Sequence, residues 1–121
     1  MTYKKALADA LTEMGLNYAY NRWNSKEVKY PYWIGNAYPA EPETEDGALD
    51  VTFTLSGFNR GSMSDLEKDI DKIYRRFRFG ETFATDRGTA KVFIGSANPI
   101  ETDDIELKRI ELDLKIKIWE V

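Results

Sequence analysis

Neither cysteine nor histidine occurs among the 121 residues of this sequence. Without cysteine there is no disulfide framework and no thiolate nucleophile, which fits a reducing compartment. Without histidine the chain lacks the commonest general base and the commonest metal ligand. Ser-His and Cys-His nucleophile pairs are therefore excluded, and so are zinc sites built from nitrogen and sulfur ligands. An enzyme made from this chain would have to use carboxylates, lysine, tyrosine or serine.

The chain also has no long apolar run and no excess of positive charge. No stretch approaches the roughly 20 apolar residues that cross a bilayer. The N-terminal segment begins like a signal peptide, but Asp9 and Glu13 interrupt its apolar residues. Seventeen basic against twenty-one acidic residues give a net charge of −4. We therefore expect neither a membrane nor a specific nucleic acid as a partner.

The strongest pattern present is an alternation near the C-terminus. The hydrophobic share of 42% is enough for one core, so we expect a single domain over residues 1–121. A period of two places alternate side chains on opposite faces of a strand, which predicts a long, half-buried β-strand over residues 105–121. Ile105 and Leu107 have the other parity, which predicts a β-bulge at Lys108 and Arg109. The apolar positions of the main run are Ile110, Leu112, Leu114, Ile116 and Ile118.

Periodicity divides the rest of the chain into two helices and five further strands. Helical spacing predicts a first helix that Thr2 caps and Gly15 ends. It also predicts a second helix, in which Ser64 and Glu67 form a capping box and the charges form a solvated face matched to the helix dipole. Strands are predicted at residues 16–23, 32–38, 48–57, 79–84 and 89–96. The order α-β-β-β-α-β-β-β predicts an α+β fold in which two helices pack on one face of a mainly antiparallel sheet.

An acidic loop, residues 39–47, is the first candidate site. A hard cation takes oxygen ligands of the kind that this loop carries. However, the first position of an EF-hand pattern would fall on Pro42, so the pattern fails. We expect a solvated loop, with no metal and no cofactor. Its carboxylates are Glu41, Glu43, Glu45 and Asp46.

A second candidate site is an acid-x-Lys pair on the C-terminal strand. Glu106 with Lys108, and Asp113 with Lys115, have the spacing found in Mg²⁺-dependent nucleases of the restriction-enzyme type. Asp50 could complete such a site, because metal-assisted phosphoryl cleavage needs carboxylates and a positive charge. Alternation on any charged strand produces the same spacing. A nuclease is thus an alternative, and we expect no catalytic residues.

Two further features carry weaker signals. Gly57 and Gly61 precede a helix whose N-terminus could hold a phosphate, but the lysine of a P-loop is missing, so we expect a strand-to-helix turn.

Aromatic residues are dense in the first two strands, where few basic residues accompany them, which favours core and protein interface over nucleic-acid stacking. A small adaptor that binds a host protein through these strands is another alternative. The aromatic residues are Tyr18, Tyr20, Trp23, Tyr30, Tyr32, Trp33 and Tyr38.

Four short segments, with the second helix, resemble a known family. They are Tyr30-Pro31-Tyr32, Thr-Leu-Ser-Gly-Phe-Asn-Arg-Gly-Ser at 54–62, Asn-Pro-Ile at 98–100 and Glu-Leu-Lys-Arg-Ile at 106–110. In this order they resemble small prophage structural proteins of Gram-positive bacteria. They are nearest the tail-terminator group of long-tailed phages, also called tail-completion or minor tail proteins. The resemblance spans nearly the whole chain and marks a fold without a chemical signature.

The resemblance implies a non-enzymatic virion protein. Tail terminators have helices packed on a mostly antiparallel sheet, and they form a hexameric ring that caps the tail tube and presents a surface to the head connector. The expected partners are further copies of this chain, the tail tube protein and the head–tail connector protein. The expected location is the virion tail, after assembly in the host cytoplasm. A head-closure connector protein is the nearest alternative. We also expect the long C-terminal strand to pair across subunits at a sheet edge.

Overall fold

The computed structural model describes residues 2–23, 28–38 and 48–120, which contain two helices and six strands. The predicted α+β fold and the predicted element order are confirmed. Neither helix is long and apolar enough to cross a membrane. In chain order the elements are α1 (Tyr3–Glu13), β1 (Tyr18–Tyr20), β2 (Tyr32–Ala37), β3 (Leu49–Arg60), α2 (Ser64–Phe77), β4 (Glu81–Thr85), β5 (Gly88–Ile100) and β6 (Leu107–Glu120).

The strands form one sheet in the order β1-β2-β3-β6-β5-β4. β1 and β2 are parallel, and the other neighbouring pairs are antiparallel. β3 and β6 pair along their length, from Leu49 opposite Ile118 to Arg60 opposite Leu107. β6 therefore lies inside the sheet, with β3 on one side and β5 on the other. The expectation that this strand pairs across subunits is wrong, because both of its edges are used within the subunit.

The β-bulge lies in β5 and not in β6. The pairing of β6 with β3 is continuous through Lys108 and Arg109, so the predicted bulge at those residues is wrong. The register between β5 and β6 instead shifts between Ile94 and Ala97. The apolar residue Ile105 does not follow the alternation of β6 because it precedes the strand and is 82% exposed.

One face of the sheet carries the core. The alternating apolar residues of β6 are at most 6% exposed, as predicted. They share a single cluster with Leu7 and Leu11 of α1 and with Leu66, Ile73 and Phe77 of α2, so both helices pack on this face. Burying a side chain of this size stabilises the fold by about 1.5–3 kcal/mol. The opposite face of the sheet has no helix on it in the described part of the chain.

The ends of the first helix agree with the sequence, and the start of the second does not. Thr2 Oγ1 accepts a hydrogen bond from the Lys5 backbone N–H at 3.2 Å, and Gly15 has a φ of +85°. In α2, Ser64 is already helical, and no side-chain cap bond forms at Met63. The predicted Ser64–Glu67 capping box is therefore wrong. The Ser62 hydroxyl instead accepts from the Ser64 backbone N–H at 3.1 Å.

Gly57 belongs to β3 and not to a turn. β3 continues to Arg60, so the predicted turn at residues 57–61 shortens to the residues around Gly61, whose φ is +85°. A Cβ at position 57 would lie 2.6 Å from Cη2 of Trp33. Glycine is thus needed here because the Trp33 ring packs directly on the backbone of β3.

Candidate functional site

The four segments that carry the family resemblance meet at one end of the sheet. Tyr32 of β2 lies opposite Phe58 of β3, and Phe58 lies opposite Arg109 of β6. Arg109 in turn lies opposite Ile100 of β5. Segments that are far apart in sequence are therefore neighbours on four adjacent strands. This juxtaposition follows from the strand order, which the sequence alone did not supply.

Aromatic rings stack across the uncovered face at this end. The Tyr32 ring lies 5.0 Å from the Phe58 ring, centroid to centroid, with 19° between their planes. Trp23 lies 5.1 Å and Tyr30 lies 5.5 Å from the same Tyr32 ring. Aromatic pairs at such separations contribute about 0.5–1.5 kcal/mol beyond their buried area. Tyr32 is therefore the centre of the cluster.

Two arginines border these rings. The Arg109 guanidinium lies 5.4 Å from the centroid of Phe58, and the Arg60 guanidinium lies 5.9 Å from that of Tyr30. Both distances fall within the range of cation–π attraction. Trp23, Tyr30, Tyr32, Phe58, Arg60 and Arg109 are called the aromatic–arginine patch below.

Ion pairs hold the arginines of the patch in place. Arg109 Nη2 donates to Glu111 Oε1 at 2.8 Å, and Arg60 Nη1 donates to Asp104 Oδ2 at 3.0 Å. The backbone N–H of Glu106, followed by the Arg60 guanidinium, holds the pKa of Asp104 below its ordinary value. Arg109 Nε is buried and has no hydrogen-bond acceptor in the described part of the chain.

A single left-handed residue brings Trp23 to the patch. After β1, Asn21 has a φ of +71°, a conformation that asparagine tolerates better than most residues. Its backbone N–H donates to Gly35 O at 2.8 Å. The chain then turns back, and the Trp23 ring reaches Tyr32.

The predicted aromatic set is divided between the two faces of the sheet. Trp33 is fully buried in the core, which confirms the expected core role for that residue. Tyr18 and Tyr20 lie on the helix side, where burial raises the pKa of Tyr18 and the Tyr20 ring lies 6.1 Å from Phe53. Tyr38 is 57% exposed after β2. Trp23, Tyr30 and Tyr32 alone belong to the patch.

The proposed nuclease residues do not form one site, although Asp50 and Lys115 line the same pocket. Asp50 lies opposite Lys117 at one end of β3, whereas Glu106 precedes Leu107, which lies opposite Arg60 at the other end. Ten residues of strand separate the two positions, or about 33 Å. The described residues contain no group of three or more potential metal-ligating carboxylates. The acidic loop at 39–47 lies outside the described residues.

The other acid-x-Lys pair has hydrogen bonds within the sheet. The Thr54 hydroxyl donates to Asp113 Oδ1 at 2.8 Å, and Lys115 Nζ donates to the Thr52 hydroxyl at 3.2 Å. Each bond joins β3 to β6. These contacts are accounted for by cross-strand pairing on the uncovered face.

Sequence reasoning missed three residues that matter here. Arg60 and Arg109 can be assigned to the aromatic rings only once the register is known. Asp69 of α2 is 8% exposed and accepts a hydrogen bond from Trp33 Nε1 at 2.9 Å, although it was included in the solvated face. A signal was available for Asp69, because it lies three residues after Leu66 and four before Ile73, on the buried stripe.

Comparison of the sequence with protein-family models finds no match, and comparison with curated proteins finds none either. The kind of site must therefore be inferred from the residues of the patch and their geometry. Tyrosine, tryptophan and arginine are the residues most enriched in the energetic centres of protein interfaces. The patch presents these residue types on the uncovered face, which is the composition of a protein-binding surface.

Proposed function

We propose that this chain is a tail terminator, a virion structural protein that forms a ring on the end of the tail tube and joins it to the head connector. The observation that carries the proposal is the convergence of the four resemblance segments on one end of the sheet. At that end they place stacked aromatic rings and two arginines on the uncovered face, and these residue types favour a docking surface.

The arrangement of layers also supports the proposal. Both helices cover one face of the sheet, and no helix among the described residues covers the other, which leaves that face for large contacts with neighbouring proteins. The patch lies on that available face and is held by its own ion pairs, so little side-chain entropy is lost when it binds. We infer that the patch contacts the tail tube protein.

The charge of the chain suits a tube through which DNA passes. A net charge of −4 per subunit repels phosphates, so DNA would not adhere to a ring of such subunits. The acidic subunits would thus let DNA pass through the ring without binding it.

Binding to tail tubes tests the proposal. Purified protein is mixed with tubes assembled from the tail tube protein encoded beside it, and the bound fraction is measured by sedimentation. Tyr30 is 39% exposed, so Tyr30→Ala should leave the fold intact while removing one ring of the patch. Because exposed rings at an interface centre typically contribute more than about 1.4 kcal/mol, we expect binding to weaken by about tenfold or more.

Tyr74→Ala is the matched control. Tyr74 is 49% exposed on α2, on the other side of the sheet from the patch, so this variant should bind tubes like the wild type. Wild-type protein that does not bind tubes would refute the proposed function. If Tyr30→Ala and Tyr74→Ala bind tubes equally well, the aromatic–arginine patch is not the surface that contacts the tube. Binding to the connector in place of the tube would favour the head-closure alternative.

A further inference from the structure

The tyrosines of the aromatic–arginine patch lie on a segment that strand pairing holds only in part. Tyr32 begins β2 and pairs with Phe58, whereas residues 28–31, which include Tyr30, precede the strand. Pro31 has no N–H group, so this position donates no main-chain hydrogen bond. The direction in which the Tyr30 ring points therefore depends on contacts outside the hydrogen-bond ladder of the sheet.

The side chain of Asn17 makes such contacts. Its Nδ2 donates to Pro31 O at 3.1 Å and to Lys29 O at 3.4 Å. The two carbonyl groups belong to the residues on either side of Tyr30, so the amide bridges the residue that carries the ring. An asparagine amide has two N–H donors, and one nitrogen can therefore serve both acceptors.

The backbone of Asn17 is fixed by the core and by the sheet. Asn17 follows Leu16, which is 5% exposed, and precedes Tyr18, which pairs with Trp33. Its main-chain oxygen accepts a hydrogen bond from the Trp33 N–H at 2.8 Å. Its side-chain bond to the neighbouring segment is partly shielded from water, which strengthens it. A side chain supported in this way can hold a neighbouring segment in one arrangement.

We propose that Asn17 is the positioning residue of the patch, because it holds Tyr30 and Tyr32 in the arrangement that a partner meets. The centroids of the two rings lie 5.5 Å apart in that arrangement. Rings that are already in place lose less conformational freedom on binding, so a residue outside the contact surface can raise the affinity. The proposal rests on the proposed function, since the affinity concerned is that for the tail tube.

Asn17→Asp tests the assignment with little change of shape, because it replaces the amide donors by a carboxylate that faces two carbonyl oxygens. Proton NMR of the free protein measures the contact between the Tyr30 and Tyr32 rings as a nuclear Overhauser effect. We expect the cross-peaks between these rings to be lost in Asn17→Asp and weakened in Asn17→Ala.

Tube binding provides a second readout. Asn17→Ala should weaken it by about three- to tenfold, the equivalent of one lost hydrogen bond. In a Tyr30→Ala background the same substitution should have a smaller effect, because one of the rings that Asn17 positions is gone. A residue that only stabilised the fold would not show this dependence on Tyr30.

Thr12→Ala is the matched control. Thr12 also donates to a main-chain carbonyl, Ala8 O at 2.9 Å, but it lies on α1, on the other side of the sheet. This variant should keep the ring cross-peaks and the tube binding of the wild type.

Unchanged ring cross-peaks in a folded Asn17→Asp overturn the proposal, and if circular dichroism shows that this variant does not fold, the cross-peaks of Asn17→Ala decide in its place. An equal loss of tube binding from Asn17→Ala with and without Tyr30 also overturns it. Wild-type protein that does not bind tubes refutes the proposed function alone, since the ring contacts are measured without tubes.

Discussion

At the scale of single residues, one buried hydrogen bond joins the sheet to the second helix. Trp33 of β2 donates to Asp69 of α2 at 2.9 Å, and both side chains are nearly or fully buried. The Trp33 ring also occupies the space that Gly57 leaves on β3. Trp33 therefore connects two neighbouring strands and a helix, and the bond to Asp69 satisfies its only polar atom.

Asp69→Ala should destabilise the protein by about 1–3 kcal/mol, because it leaves the indole N–H of Trp33 buried without an acceptor. Urea denaturation measures the change. Asp71→Ala is the matched control: Asp71 is exposed and pairs with the exposed Arg75, so its loss should cost no more than about 0.5 kcal/mol. Equal effects of the two substitutions would show that the Trp33–Asp69 bond does not contribute to stability.

We expect the partly buried Tyr18 phenol to make stability depend on pH in the alkaline range. Burial raises the pKa of Tyr18 above its ordinary value of 10.0, so the folded state holds the proton after the unfolded state has lost it. The contribution of this group is fully present below pH 10 and is lost as the pH rises above it. We expect the free energy of unfolding to fall as the pH rises above about 10, and to fall less steeply in Tyr18→Phe.

Urea denaturation at several pH values checks this expectation. Tyr74→Phe, which removes a phenol that is 49% exposed, is the control for the substitution itself. If the free energy of unfolding falls equally steeply with pH in Tyr18→Phe and in the wild type, burial of Tyr18 is not the cause of that fall.

At the scale of elements, one arginine joins three of them. Arg76 of α2 makes two bonds with Glu81 of β4, from Nε to Oε1 at 3.0 Å and from Nη2 to Oε2 at 3.1 Å. Its Nη1 also donates to Glu13 of α1 at 3.1 Å. The Arg76 side chain is 27% exposed, so these bonds are less screened by water than a surface pair.

Arg76→Gln should lower the free energy of unfolding by about 1 kcal/mol, because it breaks a bidentate pair and a bond between the helices. Arg75→Gln is the neighbouring control: Arg75 is 76% exposed, and its loss should cost less than about 0.5 kcal/mol. The midpoint of urea unfolding reports both. A cost for Arg76→Gln as small as that of the control would show that Arg76 does not stabilise this junction.

The elements themselves were predictable, but their register was not. Alternation identified β6 and β3 because each presents one apolar face to the core. Pairing between strands depends on residues distant in sequence, so alternation could not show that β6 is interior or that the bulge lies in β5. The same limit applies to Gly57, which looks like a turn residue until the position of the Trp33 ring is known.

The candidate site was predictable only in part. The density of aromatic residues at 18–38 was visible in the sequence, as were the four segments that carry the resemblance. Arg60 and Arg109 join the rings through strand pairing, and Trp23 joins them through the left-handed turn at Asn21. These positions depend on tertiary contacts, which a local pattern does not encode.

At the scale of the whole molecule, the two faces of the sheet have different roles. One face and both helices form the core, whereas no helix among the described residues covers the other face. In our proposal the aromatic–arginine patch on that face meets the tail tube. A ring subunit must also bind copies of itself, because it contacts its neighbours and the tube at the same time.

Electron microscopy of growing tail tubes tests this claim most directly. The tube protein is polymerised with and without this chain, and tube lengths and tube ends are recorded over time. Our account predicts a ring at one end of each tube and an arrest of growth when the protein is present. Tubes that keep lengthening, with the protein free in solution or bound along their sides, would contradict it.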